Sequence, residues 1–344
     1  FSLTLLMPML VAVIYLEDTV STFAIAFAIT LATGFVLWRL KRDGVELRSR
    51  EGFLVTVLFY LGLGLFGALP LSPLLGSGIT ENFTDAAFES FSGITTTGAT
   101  VLTGLDTLPR SILFYRAQLQ WLGGMGIIVL AVAILPMLGI GGMQLYRAEA
   151  PGPVKDAKLK PRITETAKSL WYIYLGITVA CATSYAVAGM GVFDAICHAF
   201  STVAIGGFST HDASLGFFDN AAIEGVAIVF MVLAGINFTL HFGVLQQRRL
   251  TPYIHDVEVR LYIAILIVLA LGVAWKLQAH PGASSNPMRD AVFQAVSIAT
   301  TTGFTTTNFS AWPSVIPFLL LFAAFAGGCA GSTAGGIKVY RVLL

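Results

Sequence analysis

Apolar residues run through the chain in long, nearly uninterrupted blocks parted by short polar stretches. Blocks near the 20 residues that a helix needs to cross hydrocarbon fall at roughly 1–16, 21–38, 53–71, 112–138, 168–190, 222–245, 258–277 and 314–342. Eight membrane-spanning helices are expected. Between them one shorter pattern is written three times: DAAFESFSGITTTGAT from Asp85, DAICHAFSTVAIGGFS from Asp194 and DAVFQAVSIATTTGFT from Asp290. Aligned without a gap, each copy carries a serine (Ser92, Ser201, Ser297) and reaches a glycine 13 residues after its aspartate, at Gly98, Gly207 and Gly303. The repeating unit reads as helix, short re-entrant helix, glycine-bearing strand, helix. An all-α polytopic membrane protein is expected, with a two-helix segment at 1–45 and units at 46–150, 151–250 and 251–344, the last with a broken second helix.

Composition adds the solvent. With 56% hydrophobic and 11% charged residues and a mean hydropathy of +0.80, the chain is far from the roughly 25% charge of soluble domains. A formal net charge of +1 argues against a nucleic-acid-binding surface, which needs clustered basic charge on a folded face. Cys181, Cys197 and Cys329 have no metal-ligand spacing and read as buried free thiols. No phosphate loop, zinc-protease helix or nucleophile elbow is present, so the chain does not read as an enzyme. The first block opens at Phe1 with no basic region before it, and reads as a clipped transmembrane helix rather than a signal peptide.

Lys and Arg set the orientation. Arg39, Lys41, Arg42, Arg48 and Arg50 precede the third block, Arg147 to Lys168 the fifth, and Arg248, Arg249 and Arg260 flank the start of the seventh; Lys338 and Arg341 close the chain. All fall on one side of the alternating topology, taken as cytoplasmic, so the three repeated stretches enter from outside. Trp121, Trp275 and Trp312 near block ends suit interfacial belts, although tryptophans packed between helices look the same.

Non-helical backbone at bilayer depth is tolerated only inside protein or along a watery cavity, and a pore satisfies that condition. Threonine favours extended backbone and glycine opens φ values closed to other residues, so successive carbonyls of Thr95-Thr96-Thr97-Gly98-Ala99-Thr100 can turn towards one axis. Four such carbonyls make a column on the order of 12 Å long, room for dehydrated cations in file. Asp85, Asp194 and Asp290 are expected as N-caps, with the negative end of each short helix aimed at the glycine strand. Glu89 is expected in a hydrogen bond behind the strand, and Arg116 at the interface. Asn237 and His241 either face the cavity or bond between helices.

The three repeats, QWLGGMGIIVLAVAILP at 120–136, LYRAEAPGPVKDAKLKPRI at 145–163 and GGCAGSTAGGIK at 327–338 together resemble the TrkH family. Its members are membrane subunits of bacterial Trk potassium-uptake systems, in the superfamily that also holds KtrB and the plant HKT transporters. The resemblance covers essentially the whole chain. It implies potassium uptake across the bacterial inner membrane, a homodimer, and a cytoplasmic nucleotide-binding regulatory partner of TrkA type, for which 145–163 is the expected dock. It also implies that the first two helices are additions ahead of the pore units. Carried onto this sequence, the potassium filter comprises Thr96, Thr97, Gly98 and Ala99; Ile205, Gly206, Gly207 and Phe208; and Thr301, Thr302, Gly303 and Phe304. Glycine rather than serine at the key position goes with potassium over sodium in the superfamily. Ala204 and Ile205 stand where the other units have threonine, so the ring is chemically uneven. Four units are implied and three are visible, so the sequence reads as part of a longer polypeptide.

The stretch at 327–338 carries Gly327, Gly328, Gly331, Ser332, Thr333, Gly335, Gly336 and Lys338. Glycine this dense interrupts a helix, and the resemblance makes the stretch a gate loop under the filter; the alternative is a close helix-packing face. The sequence thus reads as a channel-like potassium conductor gated by a cytoplasmic subunit. The alternative is a symporter coupled to protons or sodium, which calls for ionisable residues at mid-span that these blocks nearly lack.

Overall fold

The structure, a computed structural model, describes residues 1–40, 49–76, 79–129, 163–313 and 315–343. Among the described residues every regular element is helical. After a short 3-10 turn come α1 (Leu6–Ile14), α2 (Val20–Leu40), α3 (Ser49–Gly67), α4 (Phe83–Ile94) and α5 (Arg110–Val129). Next are α6 (Ile163–Val187), α7 (Val192–Val203), α8 (Ala221–Ala234), α9 (Phe238–Gln247) and the single turn α10 (Thr251–His255). The last are α11 (Val257–Gln278), α12 (Pro287–Ala299), α13 (Val315–Ala326) and α14 (Val339–Leu343).

By length and apolar character, α2, residues 168–187 of α6, and α11 suffice to cross a bilayer. The sixth block departs from expectation. It is two helices, α8 and α9, meeting at 95°. Gly235 and Asn237 sit at the break, and the Asn237 carboxamide caps α9 by accepting from the Thr239 amide at 2.8 Å. A hydropathy run cannot show such a bend, because the two halves together are apolar enough to read as one span. The eighth block breaks too, as expected: α13 ends at Ala326 and α14 resumes at Val339. The first and third blocks are shorter helices completed by 3-10 turns.

Helices α4, α7 and α12 have 12, 12 and 13 residues. At 1.5 Å per residue they are about 18–20 Å long, too short for a hydrocarbon layer of about 30 Å. Their caps differ from expectation. Asn82, Gly191 and Asn286 occupy the N-cap positions, and Asp85, Asp194 and Asp290 lie within the first turn. Only α4 shows the side-chain cap among the three, with Asn82 Oδ1 accepting from the Asp85 amide at 2.9 Å. The aspartates there still complement the helix dipole.

Three apolar clusters follow the three repeats. One joins α3, α4 and α5 to the N-terminal helices through Phe23, Leu71, Ile94, Tyr115 and Leu119. The second packs α6, α7, α8 and α9 around Tyr174, Tyr185 and Met231, and the third packs α11, α12 and α13 around Tyr262, Leu266 and Phe309. Glu17 ties the N-terminal helices to the start of α5 by accepting from the amides of Arg110 and Ser111 at 2.6 and 3.1 Å. Trp121 is packed rather than interfacial: it stacks on Phe200 and donates to Thr178 Oγ1 at 3.0 Å. Trp312 is buried as well, whereas Trp275 is 68% exposed. Cys181, Cys197 and Cys329 are free and buried.

Candidate functional site

Each short helix ends the same way. Thr96, Ile205 and Thr301 have φ of 57, 55 and 67°, and the glycines two residues on, Gly98, Gly207 and Gly303, have φ of 76, 79 and 90°. The amides of Thr97, Gly206 and Thr302 donate to the carbonyls of Ser92, Ser201 and Ser297 at 2.9, 2.9 and 2.8 Å. One residue earlier, the amides of Thr96, Ile205 and Thr301 donate to Gly93, Thr202 and Ile298 at 3.0, 3.1 and 3.0 Å. This pair of bonds is a Schellman helix end, which normally takes glycine in the left-handed position. Here that position holds a β-branched residue three times over, at about 1–2 kcal/mol each. Such strain persists only where the surroundings over-determine it, and it concentrates at functional sites.

The geometry of the carbonyls follows. A trans peptide sets its C=O opposite its N–H, so amides turned back onto the helix leave the carbonyls of Thr95, Thr96, Ala204, Ile205, Thr300 and Thr301 facing away from it. The repeated serine of the sequence is therefore the residue whose carbonyl anchors the strand. The three strands meet. A Cβ added at Gly98 would overlap the Gly206 carbonyl oxygen, and one at Gly207 would overlap that of Thr302. A Cβ added at Gly303 would meet no atom within 4 Å among the described residues. Ala99 is exposed, while Phe208 and Phe304 are buried behind their strands. The Phe304 carbonyl accepts from Ser297 Oγ at 2.7 Å.

Hydroxyl braces stiffen two strands. Thr95 and Thr97 share a hydrogen bond of 2.8 Å, and Thr300 and Thr302 one of 2.7 Å. The second strand has Ala204 and Gly206 there, and Gln120 from α5 reaches it instead: Nε2 donates to the Gly206 carbonyl at 2.7 Å, and Oε1 accepts from the Phe208 amide at 3.0 Å.

One turn before Gln120, Arg116 is 1% exposed, not at an interface. It pairs with Glu89 at 2.7 Å and donates to Thr100 Oγ1 and the Ser209 carbonyl at 3.1 and 3.2 Å, over the Phe208 ring. Glu89 also accepts from Thr100 Oγ1 and the Val101 amide at 2.9 and 3.1 Å, as a carboxylate behind the strand. In the loops after the first two strands, Asp106 pairs with His211 at 2.5 Å, and Asp194 lies 3.7 Å from the same ring. Partial burial lowers the His211 pKa, but the nearby Asp194 carboxylate and the hydrogen bond to Asp106 outweigh it and hold the imidazole above its ordinary value. The bond to His211 holds Asp106 below its own.

The 327–338 segment docks on the strand ends. Thr333 Oγ1 donates to the carbonyls of Val203, the last residue of α7, and Ala234, at 2.9 and 3.2 Å. The Gly335 amide donates to Thr301 Oγ1 at 2.8 Å. Gly327, Gly331, Gly336 and Lys338 have φ between 67 and 81°, Gly328 packs on the Gly235 carbonyl, and Lys338 Nζ bonds the Ala334 carbonyl. Ser332 Oγ donates to the Cys329 carbonyl at 2.6 Å. At the far end Glu258 accepts from the amides of Ala330 and Tyr340 at 2.7 and 3.1 Å. Asn237 and His241 belong to this bend rather than to a cavity wall: His241 bonds Tyr253 Oη and the Leu233 carbonyl at 2.5 and 3.0 Å.

Two residues that hold the site together are not singled out by the sequence reading: Gln120, although it opens the 120–136 motif, and Glu258. Both are polar residues inside apolar blocks, which is by itself a signal of function in a membrane helix. The motif residues 130–136 and the 145–163 loop up to residue 162 lie outside the described residues.

Fold and site together define a helical membrane protein that gathers glycine-bearing backbone from three short helices. The TrkH family model, described as a cation transport protein, matches residues 19–344. The chain belongs to the TrkH family. It is 55% identical to the Trk system potassium uptake protein TrkH of Halomonas elongata, across 100% of this chain and 71% of that protein. It is 54% identical to the protein of the same name from Escherichia coli strain K12, with the same coverage. The crystal structure of the potassium transporter TrkH from Vibrio parahaemolyticus superposes with a TM-score of 0.88 at 50% identity, over 100% of this chain and 70% of that one.

Proposed function

We propose that the protein takes up potassium through a single-file filter built from the glycine strands, with Thr96, Thr97, Gly98, Ala99, Ile205, Gly206, Gly207, Phe208, Thr301, Thr302, Gly303 and Phe304 supplying its backbone. The observation that carries this reading is the threefold strained turn, in which a β-branched residue and a glycine are both left-handed and the carbonyls face away from the helix. Such a surface of carbonyls replaces the hydration shell of a dehydrated cation, and the short helices add the negative ends of their dipoles. The units at 46–150, 151–250 and 251–344 are successive parts of the wall around this filter.

The 327–338 loop is the gate of this pore. Its bonds to Val203, Ala234 and Thr301 keep it against the strand ends, and moving it clears the path. Regulation comes from a TrkA-type subunit, in a homodimer seated in the bacterial inner membrane with the filter entered from outside.

Potassium and sodium flux through the intact protein in liposomes, wild type against Gly98→Ser, tests the reading. Serine at Gly98 would drive its Cβ into the Gly206 carbonyl, so the expected result is potassium-selective flux that loses selectivity in the variant. Flux that depends on a proton or sodium gradient and ignores the substitution would favour coupled transport and reduce the strands to packing.

A further inference from the structure

We propose that Gln120 is a positioning residue for ion selection, acting as a prosthetic side chain for the second strand; this rests on the filter reading above. Three differences separate that strand from the other two, and Gln120 stands where they coincide. Where the first and third strands have the Thr95–Thr97 and Thr300–Thr302 hydroxyl braces, the second has Ala204 and Gly206, which carry no hydroxyl. In the outer strands a further amide turns back to the anchoring serine carbonyl, Gly98 to Ser92 at 3.5 Å and Gly303 to Ser297 at 3.2 Å; among the described residues no such bond joins Gly207 to Ser201. The missing side chain at Gly206 leaves space, and the Gln120 carboxamide fills it: a Cβ added at Gly206 would overlap the Gln120 Cδ.

The orientation of the carboxamide is fixed by its partners. The Phe208 amide can only donate, so Oε1 faces it and Nε2 must face the Gly206 carbonyl. Gln120 is 0% exposed, and both its polar atoms are used on this one strand. It clamps the backbone across Gly207, on both sides of the left-handed glycine. The Gly206 carbonyl also touches the space beside Gly98, so the clamp sets the contact between the first two strands. One consequence concerns ligation. A carbonyl that already accepts a hydrogen bond offers less density to a cation, so the level formed by the Thr97, Gly206 and Thr302 carbonyls has one weak ligand.

α5 is placed to do this. Gly123 lies against the Ile94 carbonyl at the end of α4, and a Cβ added at Gly124 would stand 3.0 Å from the Ala204 Cα, so the helix fits as a wedge between the first two units. Arg116, Gln120 and this glycine pair follow one another at single-turn spacing along it.

The test is the potassium-to-sodium permeability ratio of the intact protein in liposomes. Gln120→Met keeps length and volume but loses both bonds, and the ratio is expected to fall about tenfold, the scale of two ordinary hydrogen bonds. Gly206→Ser and Gln120→Ala should each lower the ratio, and the double variant, in which the serine regains its space, should lie nearer wild type than either single. That pair decides the matter if Gln120→Met fails to assemble. A Gln120→Met protein with reduced flux of both ions at an unchanged ratio, or single effects that simply add in the double variant, would overturn the proposal. Gly98→Ser runs alongside as the control: if it too leaves the ratio unchanged, the filter reading itself has failed, whereas a shift in Gly98→Ser alone rejects only the role of Gln120.

Discussion

At the scale of the residue, the most consequential pair is Glu89 and Arg116, both inaccessible to solvent and 2.7 Å apart. A buried ion pair is costly to form, but removing one partner leaves an uncompensated charge in a medium that cannot solvate it, at about 3–5 kcal/mol. Arg116→Ala should therefore lower the thermal stability of the protein in detergent by that amount, and Glu89→Gln together with Arg116→Met should cost less than Arg116→Ala alone. A double variant as unstable as the sum of its singles would show that the two side chains act separately. The sequence revealed half of this pair. Glu89 lies in a repeated helix behind threonines, so a hydrogen-bonded burial was legible from its position. Arg116 stands near the end of an apolar block, where a long cation normally reaches for the headgroups; its partner is 27 residues away on another helix, and no local pattern carries that information. Gln120 was hidden for the same reason, since the gap it fills is in a strand 86 residues distant.

Among the elements, the 327–338 loop is held at both ends by one carboxylate. Glu258 accepts from Ala330 and Tyr340, while Thr333 and Gly335 bind the strand ends between them. Hydrogen bonds to a charged group are worth about 1.5–3 kcal/mol each. In the proposed gate, Glu258→Ala should thus shift the closed–open balance tenfold or more towards open, read as raised basal potassium flux at unchanged potassium-to-sodium ratio. Thr333→Val should act in the same direction by a smaller factor. Basal flux equal to wild type in both would make the loop a packing element. The interruption itself was legible, because ten residues dense in glycine do not continue a helix. The bend between α8 and α9 was not, since Gly235 is an isolated glycine like Gly225 and Gly243 in the same block, and the 95° turn exists because Asn237 caps the new helix and the Phe238 amide donates to the Gly331 carbonyl at 3.0 Å. The short helices were legible from their repetition. Their caps lie three or four residues before the aspartates because an aspartate in the first turn and one at the N-cap satisfy the same dipole, and sequence alone does not separate the two.

For the whole molecule, the three units form a progression rather than three independent modules. The glycine of the first lies on a carbonyl of the second, and the glycine of the second on the equivalent carbonyl of the third. Arg116 and Gln120 cross the first junction; Arg289 of α12, bound to Glu224 of α8 at 2.7 Å, and the Thr305 amide, donating to Ser214 Oγ at 3.2 Å, cross the second. Carbonyl dipoles gathered at such a junction repel one another, and a desolvated cation among them converts that repulsion into attraction. A ligand that binds only the assembled state stabilises it by mass action, about 2.7 kcal/mol at a hundredfold excess over its Kd. In detergent, the melting temperature should accordingly rise by several degrees when potassium chloride replaces choline chloride at the same ionic strength, and rise less with sodium chloride. In Gly98→Ser the potassium and sodium values should converge, because the junction proposed to discriminate them would be displaced. Identical melting temperatures in potassium and choline would mean that the converging carbonyls bind no cation, and the strands would then be a structural seam between units rather than the path of an ion.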